Sequence, residues 1–189
     1  MSDSGSAILD ALYQRQPDRA AELAAAAAAL TVWEAAALGR DEELGRLLAA
    51  DPALADAPAP DGHTPLGLAA YFAPRATAAV LLAHGARVST AARNTMQVQP
   101  LHAAVAAGNA GTVTLLLEHD ADVNARQQAG YTPLMGAAAA GRADLIDLLL
   151  ARGADRSAAS DDGSTAATMA RARGHHAVAD RLDRLMGTT

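Results

Sequence analysis

The chain has 189 residues, of which 51% are hydrophobic and only 3% aromatic, with a net charge of −6 and no cysteine. The missing thiols exclude a disulfide framework and a thiolate metal site, and they make a reducing compartment the default. The acidic balance argues against a nucleic-acid partner, which calls for basic residues gathered on one face; the fifteen here, all arginine, are scattered.

A core so poor in aromatic residues has to be built from Ala, Leu and Val, which favours close helix packing over a β-sandwich. Near the start, Asp3 and Asp10 stand where an export signal wants positive charge, and "AAELAAAAAAL" (20–30) is too weakly apolar and too interrupted to be one. No window reaches the length of a membrane span. A cytoplasmic protein without a membrane partner is therefore expected.

The first predicted elements are a helix pair within "ILDALYQRQPDRAAELAA" (8–25), whose Gln14, Arg15, Asp18, Arg19 and Glu22 suit a polar cap. "VWEAAALGRDEELGRLLAADPAL" (32–54) follows, and its Ala35 lies 34 residues before Ala69 of "DGHTPLGLAA" (61–70). The same frame returns in "VQPLHAAV" (98–105), "GYTPLMGAAAAG" (130–141) and "DGSTAATMARARG" (162–174). Pro65, Pro100 and Pro133 fall in one column at spacings of 35 and 33 residues, and Thr132 to Thr165 gives 33 again. Each start leads at a fixed distance to an aliphatic run and a turn: "AAVLLAHGA" (78–86), "VTLLLEHDA" (113–121) and "LIDLLLARGA" (145–154).

Local chemistry accounts for the punctuation. Thr132 can accept a backbone N–H as a helix cap, and Pro133 fits the first helical position, where its missing donor costs nothing. Gly141 and Gly153 supply the left-handed conformation that stops the two helices of that unit. Ala137 and Ala138 keep the first helix thin, while Leu148, Leu149 and Leu150 fill space on the second. That size difference predicts a curved stack with the first helices on its concave side. The segments 121–132 and 154–165 are expected to project as hairpin-like fingers.

This pattern resembles the ankyrin repeat, whose signature runs Thr-Pro-Leu-His-x-Ala-Ala-x-x-Gly, then a Val/Leu-Leu run, then Gly-Ala-Asp. The resemblance covers 30–189 well and 7–29 loosely. It implies an all-α repeat solenoid, a stack of antiparallel helix pairs with short β-hairpin-like loops. One continuous domain is expected: an N-terminal helical cap (1–29), repeats at 30–60, 61–93, 94–128 and 129–160, and a capping repeat (161–189). The last unit departs from the motif, with Ala166, Ala167 and Thr168 in the Pro-Leu-His column and the polar close "RLDRLMGTT".

Chemistry beyond binding finds little support. His102 stands in the family's His column, where the resemblance implies a structural brace. His84 and His119 precede turns, and the adjacent His175 and His176 diverge on a helix, so no metal site is expected. Asp161 and Asp162 before Gly163 read as turn formers, and "DEEL" (41–44) as the acidic first turn of a helix. No nucleophile motif or phosphate loop occurs. No catalytic residue, metal or cofactor is assigned; a hydrolase or metal enzyme using His102 or His175 is the competing class.

The resemblance points the two positions between Ala-Ala and Gly into a groove and sets the residues before Thr-Pro at finger bases. Tyr13, Tyr71 and Phe72 occupy groove columns and Tyr131 a finger column, leaving Trp33 for the interior. Large aromatics anchor binding hot spots, so these four are candidate partner contacts; covering neighbouring repeats is the equal alternative. Arg75 lies beside the pair at 71–72, and Ala73 replaces the usual helix-ending glycine. The finger 89–99 is two residues longer than its neighbour and presents Arg93, Asn94, Met96 and Gln97 as candidates, with Arg126, Gln127 and Gln128 alongside; ordinary loop variation is the alternative. The expected function is a non-enzymatic protein–protein interaction module, monomeric rather than homo-oligomeric, for a protein partner the sequence does not identify. A dedicated regulator or stabiliser of one partner enzyme is the alternative within that class, and self-association through the groove a further one.

Overall fold

Half of the helix starts are made by a side-chain oxygen placed three residues before a backbone N–H that has no partner within the helix. The computed structural model, which describes residues 5–186, shows this at Ser6, Thr31, Thr64, Asn109, Thr132 and Thr165, each accepting from the N–H three positions on. Thr31 and Glu34 close a reciprocal capping box. Pro65 and Pro133 occupy the first helical position as expected. Asp3 and the residues 187–189 of the proposed polar close lie outside the described residues.

Twelve α-helices and no strand are present among the described residues. The chain divides into two units, Met1–Pro100 and Leu101–Thr189. The first contains α1 (Ala7–Tyr13), α2 (Pro17–Ala26), α3 (Val32–Leu38), α4 (Asp41–Ala50), α5 (Pro65–Phe72) and α6 (Arg75–Ala83), with a 3-10 turn at Pro52–Asp56. After α7 (Pro100–Ala107) come α8 (Ala110–Glu118), α9 (Pro133–Ala139), α10 (Ala143–Ala151), α11 (Ala166–Ala172) and α12 (His176–Met186).

The helices pack as pairs, and like pairs with like. Within the first unit α3 lies on α4 and α5 on α6, while α3 also contacts α5 and α4 contacts α6. Within the second, α9 pairs with α10 and α11 with α12, with α9 against α11 and α8 against α10. Alanine favours close first-helix contacts: Ala35, Ala36, Ala69, Ala70, Ala137, Ala138 and Ala170 are completely buried. Leucines fill the core on the second helices, notably Leu44, Leu48, Leu81, Leu116, Leu145 and Leu149. Of the run Leu148–Leu150 only Leu149 is buried; its neighbours are half-buried, because consecutive helical residues point about 100° apart.

Gly141 and Gly153 both take the left-handed conformation, with φ of 66° and 86°. Gly141 is held by a second constraint: a Cβ there would sit 2.5 Å from Nδ1 of His175, so the following repeat's side chain covers the turn. In the same column Arg142 donates from Nη2 to the Gly108 carbonyl at 3.0 Å while its guanidinium pairs with Asp144.

Candidate protein-binding surface

The fingers close at their necks by single backbone bonds rather than by strands. Ala59 N–H donates to His63 O, Ala92 to Val98, Gln127 to Tyr131 and Ser160 to Ser164, at 2.8 to 3.0 Å. The neck residues are four apart in three of these fingers and six apart in the 92–98 finger, which carries the two extra residues. Neighbouring fingers are joined by one backbone bond each, from Arg93 N–H to Gly62 O (2.7 Å) in the first unit and from Asp161 N–H to Ala129 O (2.9 Å) in the second. An isolated antiparallel bridge, Ala159 to Thr165, is the nearest these loops come to a hairpin.

In the first unit three of the four predicted aromatic contacts meet. Tyr13 at the end of α1 and Phe72 at the end of α5 have ring centroids 5.4 Å apart at 66°, and Phe72 meets Tyr71 at 4.7 Å and 74°. Both arrangements are the edge-to-face packing that the ring quadrupole favours. His63 extends the row, 6.2 Å from Tyr13. Tyr13, Phe72, Trp33 and Leu12 are half-buried and pack on the buried residues Leu9, Ala37, Ala59 and Leu68. The ladder therefore starts in the core and ends in solvent at Tyr71, which is 44% exposed. Trp33 is an interior residue in part, as expected, and its Nε1–H donates to the Ala57 carbonyl at 2.8 Å.

Asp61 is the polar support of this ladder, and nothing in the sequence singles it out for that role. Its Oδ2 accepts from the Tyr13 hydroxyl at 2.8 Å, its Oδ1 from the His63 N–H at 3.1 Å, and its carbonyl from Asn94 Nδ2 at 3.1 Å. Burial, reinforced by the adjacent Asp61 carboxylate, holds the Tyr13 phenol well above its ordinary pKa. Tyr13→Phe should cost about 1 kcal/mol at neutral pH, read from urea denaturation followed by Trp33 fluorescence. A raised folded pKa means that stability is intact below the ordinary value of 10.0 and falls as pH rises past it, so the variant should lose less than the wild type in alkali.

Asn94 does not stand free in the long finger. Its Nδ2 also lies 3.4 Å from His63 Nε2, and its Oδ1 accepts from the N–H groups of Met96 (3.1 Å) and Gln97 (3.2 Å). Gln97 has φ of 51°, a left-handed position held by that turn. Arg93, Met96 and Gln97 are exposed at the tip, Met96 at 49%, and Arg75 is exposed at the start of α6.

In the second unit the candidates are more tied to the framework. Arg126 donates from Nη2 to the Ala159 carbonyl at 3.0 Å and lies 3.4 Å from Asp161. Gln127 is half-buried, with its Oε1 buried and lacking a hydrogen-bond partner, while Gln128 is exposed. Tyr131 is half-buried, and its carbonyl accepts from Gln127 N–H and from His102 Nε2 at 3.2 Å. Burial pushes the His102 imidazole below its ordinary pKa, so the ring is neutral and donates from Nε2. His84 and His119 bond through Nδ1 to carbonyls one turn back in their own helices, Val80 and Leu115. Among the described residues no group of three or more His, Asp or Glu side chains is placed to hold a metal ion, and no helix is long and apolar enough to cross a membrane.

Capped helix pairs, packed like on like and flanked by joined fingers, define a helical repeat protein. A family model described as ankyrin repeats (3 copies) matches residues 32–127, more than half of the chain, and one described as ankyrin repeats (many copies) matches 116–170. The chain belongs to the ankyrin-repeat family, an all-α repeat solenoid whose repeats are generally protein–protein interaction modules. No curated protein matches the sequence.

Proposed function

We propose that the chain is a non-enzymatic protein-binding module and that Tyr71 anchors its partner in the first unit. The observation that carries this reading is the exposure of Tyr71 at the end of an otherwise half-buried aromatic ladder. Tyr71 and Met96 are the large hydrophobic side chains exposed among the described residues, and only Tyr71 stands on a rigid aromatic base. A ring already fixed in place loses little conformational freedom on binding, which is what makes a hot spot. Arg75, Arg93, Met96 and Gln97 would supply the surrounding contacts. Gln128 and Tyr131 offer a separate surface in the second unit. The lack of cysteine supports residence in a reducing compartment. The helix pairing supports a cap over 1–29 followed by five repeats.

Tyr71→Ala tests the reading without touching the core. Helical circular dichroism should be unchanged, and affinity for a partner captured by the wild type should fall by about 2 kcal/mol or more, roughly thirtyfold. Phe72→Ala is the wrong probe, since Phe72 packs on Leu9 and Leu68 and its loss would lower stability. Unchanged capture by Tyr71→Ala would overturn the assignment.

A further inference from the structure

We propose that Met96 is an oxidation site, the one among the described methionine side chains that peroxide modifies without unfolding the protein. The inference is independent of any partner. Three methionine side chains are described, and the fold treats them differently. Met135 is completely buried at the start of α9, and its Sδ accepts the Thr132 N–H at 3.5 Å. Met169 is half-buried in α11. Met96 is 49% exposed, and no hydrogen bond to its sulfur is found among the described residues.

What sets Met96 apart from a loose loop methionine is the turn beneath it. Asn94 Oδ1 accepts the N–H groups of both Met96 and Gln97, Gln97 is left-handed, and the finger is closed by Ala92 to Val98 and anchored by Arg93 to Gly62. These bonds involve the backbone and Asn94, so none of them passes through the thioether. The exposed side chain stands on a hydrogen-bonded turn that does not depend on it.

The reaction is a two-electron oxidation. The thioether sulfur attacks one oxygen of hydrogen peroxide, the S–O bond forms as the O–O bond breaks, and after proton transfer water leaves, giving methionine sulfoxide. The product is polar and chiral where an apolar chain stood, and methionine sulfoxide reductases reverse it. At Met135 the side chain is completely buried and its sulfur already accepts the Thr132 N–H, so peroxide reaches it only on opening.

Cleavage after arginine isolates each methionine in its own peptide, 94–126, 127–142 and 157–171. Under hydrogen peroxide the 94–126 peptide should gain one oxygen at least tenfold faster than 127–142, the factor that an opening cost of only about 1.4 kcal/mol would impose. Helical circular dichroism should stay constant while this peptide is converted. In strong urea the rates should converge, because burial no longer separates them. Equal rates in the native protein, a difference that survives in urea, or loss of helicity in step with conversion of 94–126 would each overturn the proposal.

Discussion

Gly62→Ala should lower the stability of the first unit by about 3 kcal/mol, measured by urea denaturation with Trp33 as the fluorescent reporter. Two effects combine at this residue. Its φ of 86° is left-handed, where any Cβ meets the backbone, and a Cβ would also lie 2.7 Å from both the carbonyl carbon and oxygen of Arg93. Neither atom can move without breaking the 2.7 Å bond from Arg93 N–H to Gly62 O that joins the two fingers. Gly85 separates the two effects, since its φ is 87° but nothing stands within 4 Å of its Cβ position. Gly85→Ala should therefore cost only about 1 kcal/mol, the conformational share alone. Equal losses at the two sites would show that the close approach contributes nothing.

His102→Ala should destabilise the second unit by about 3 kcal/mol, because it empties a buried site and removes the donor to the Tyr131 carbonyl. His102→Leu fills the space and should cost nearer 1 kcal/mol, since Gln127 N–H still reaches that carbonyl. The pH dependence carries the sharper test. An imidazole whose pKa is lowered by folding contributes stability that is intact above its ordinary value of 6.5 and is lost as pH falls below it, because the unfolded chain then binds a proton the buried ring refuses. Wild-type stability, followed by circular dichroism in urea, should decline between pH 7 and pH 5, and His102→Leu should flatten that decline. The carboxylates of Asp144, Asp155 and Asp162 act in a lower window. Bonds from Arg142, Ser157 and Ser160 respectively hold them below the ordinary value of 3.8, so their contribution is lost only as pH falls beneath it. A decline of the same size in His102→Leu would assign the window to another group.

How well the sequence foretold the fold depended on the range of the forces involved. Thr132 and Pro133 are adjacent in the chain, and the bond from Met135 N–H to Thr132 Oγ1 spans three residues, so the helix start is legible in four letters. The left-handed stops at Gly141 and Gly153 are equally local. The aromatic candidates are a different matter. Tyr13, Tyr71 and Phe72 share columns of the repeat, yet one is hydrogen-bonded at its hydroxyl, one packs on the core and one is exposed, and only the packing distinguishes them. Asn94 stood among the candidates for contact, but its side chain is engaged with Asp61, Met96 and Gln97.

Sequence by itself determined the repeat, its period, the start and stops of the unit at 132–153 and the family, because each rests on capping, proline and glycine geometry and on the spacing of Ala and Leu within one unit. Tertiary structure alone decided which of the candidate side chains are buried, bonded or exposed. Asp61 reaches Tyr13 across 48 residues, Arg93 reaches Gly62 across 31, and His175 covers Gly141 across 34. Such contacts join different units of the chain, and a residue type that recurs in every unit carries no mark of which copy its neighbour will bury.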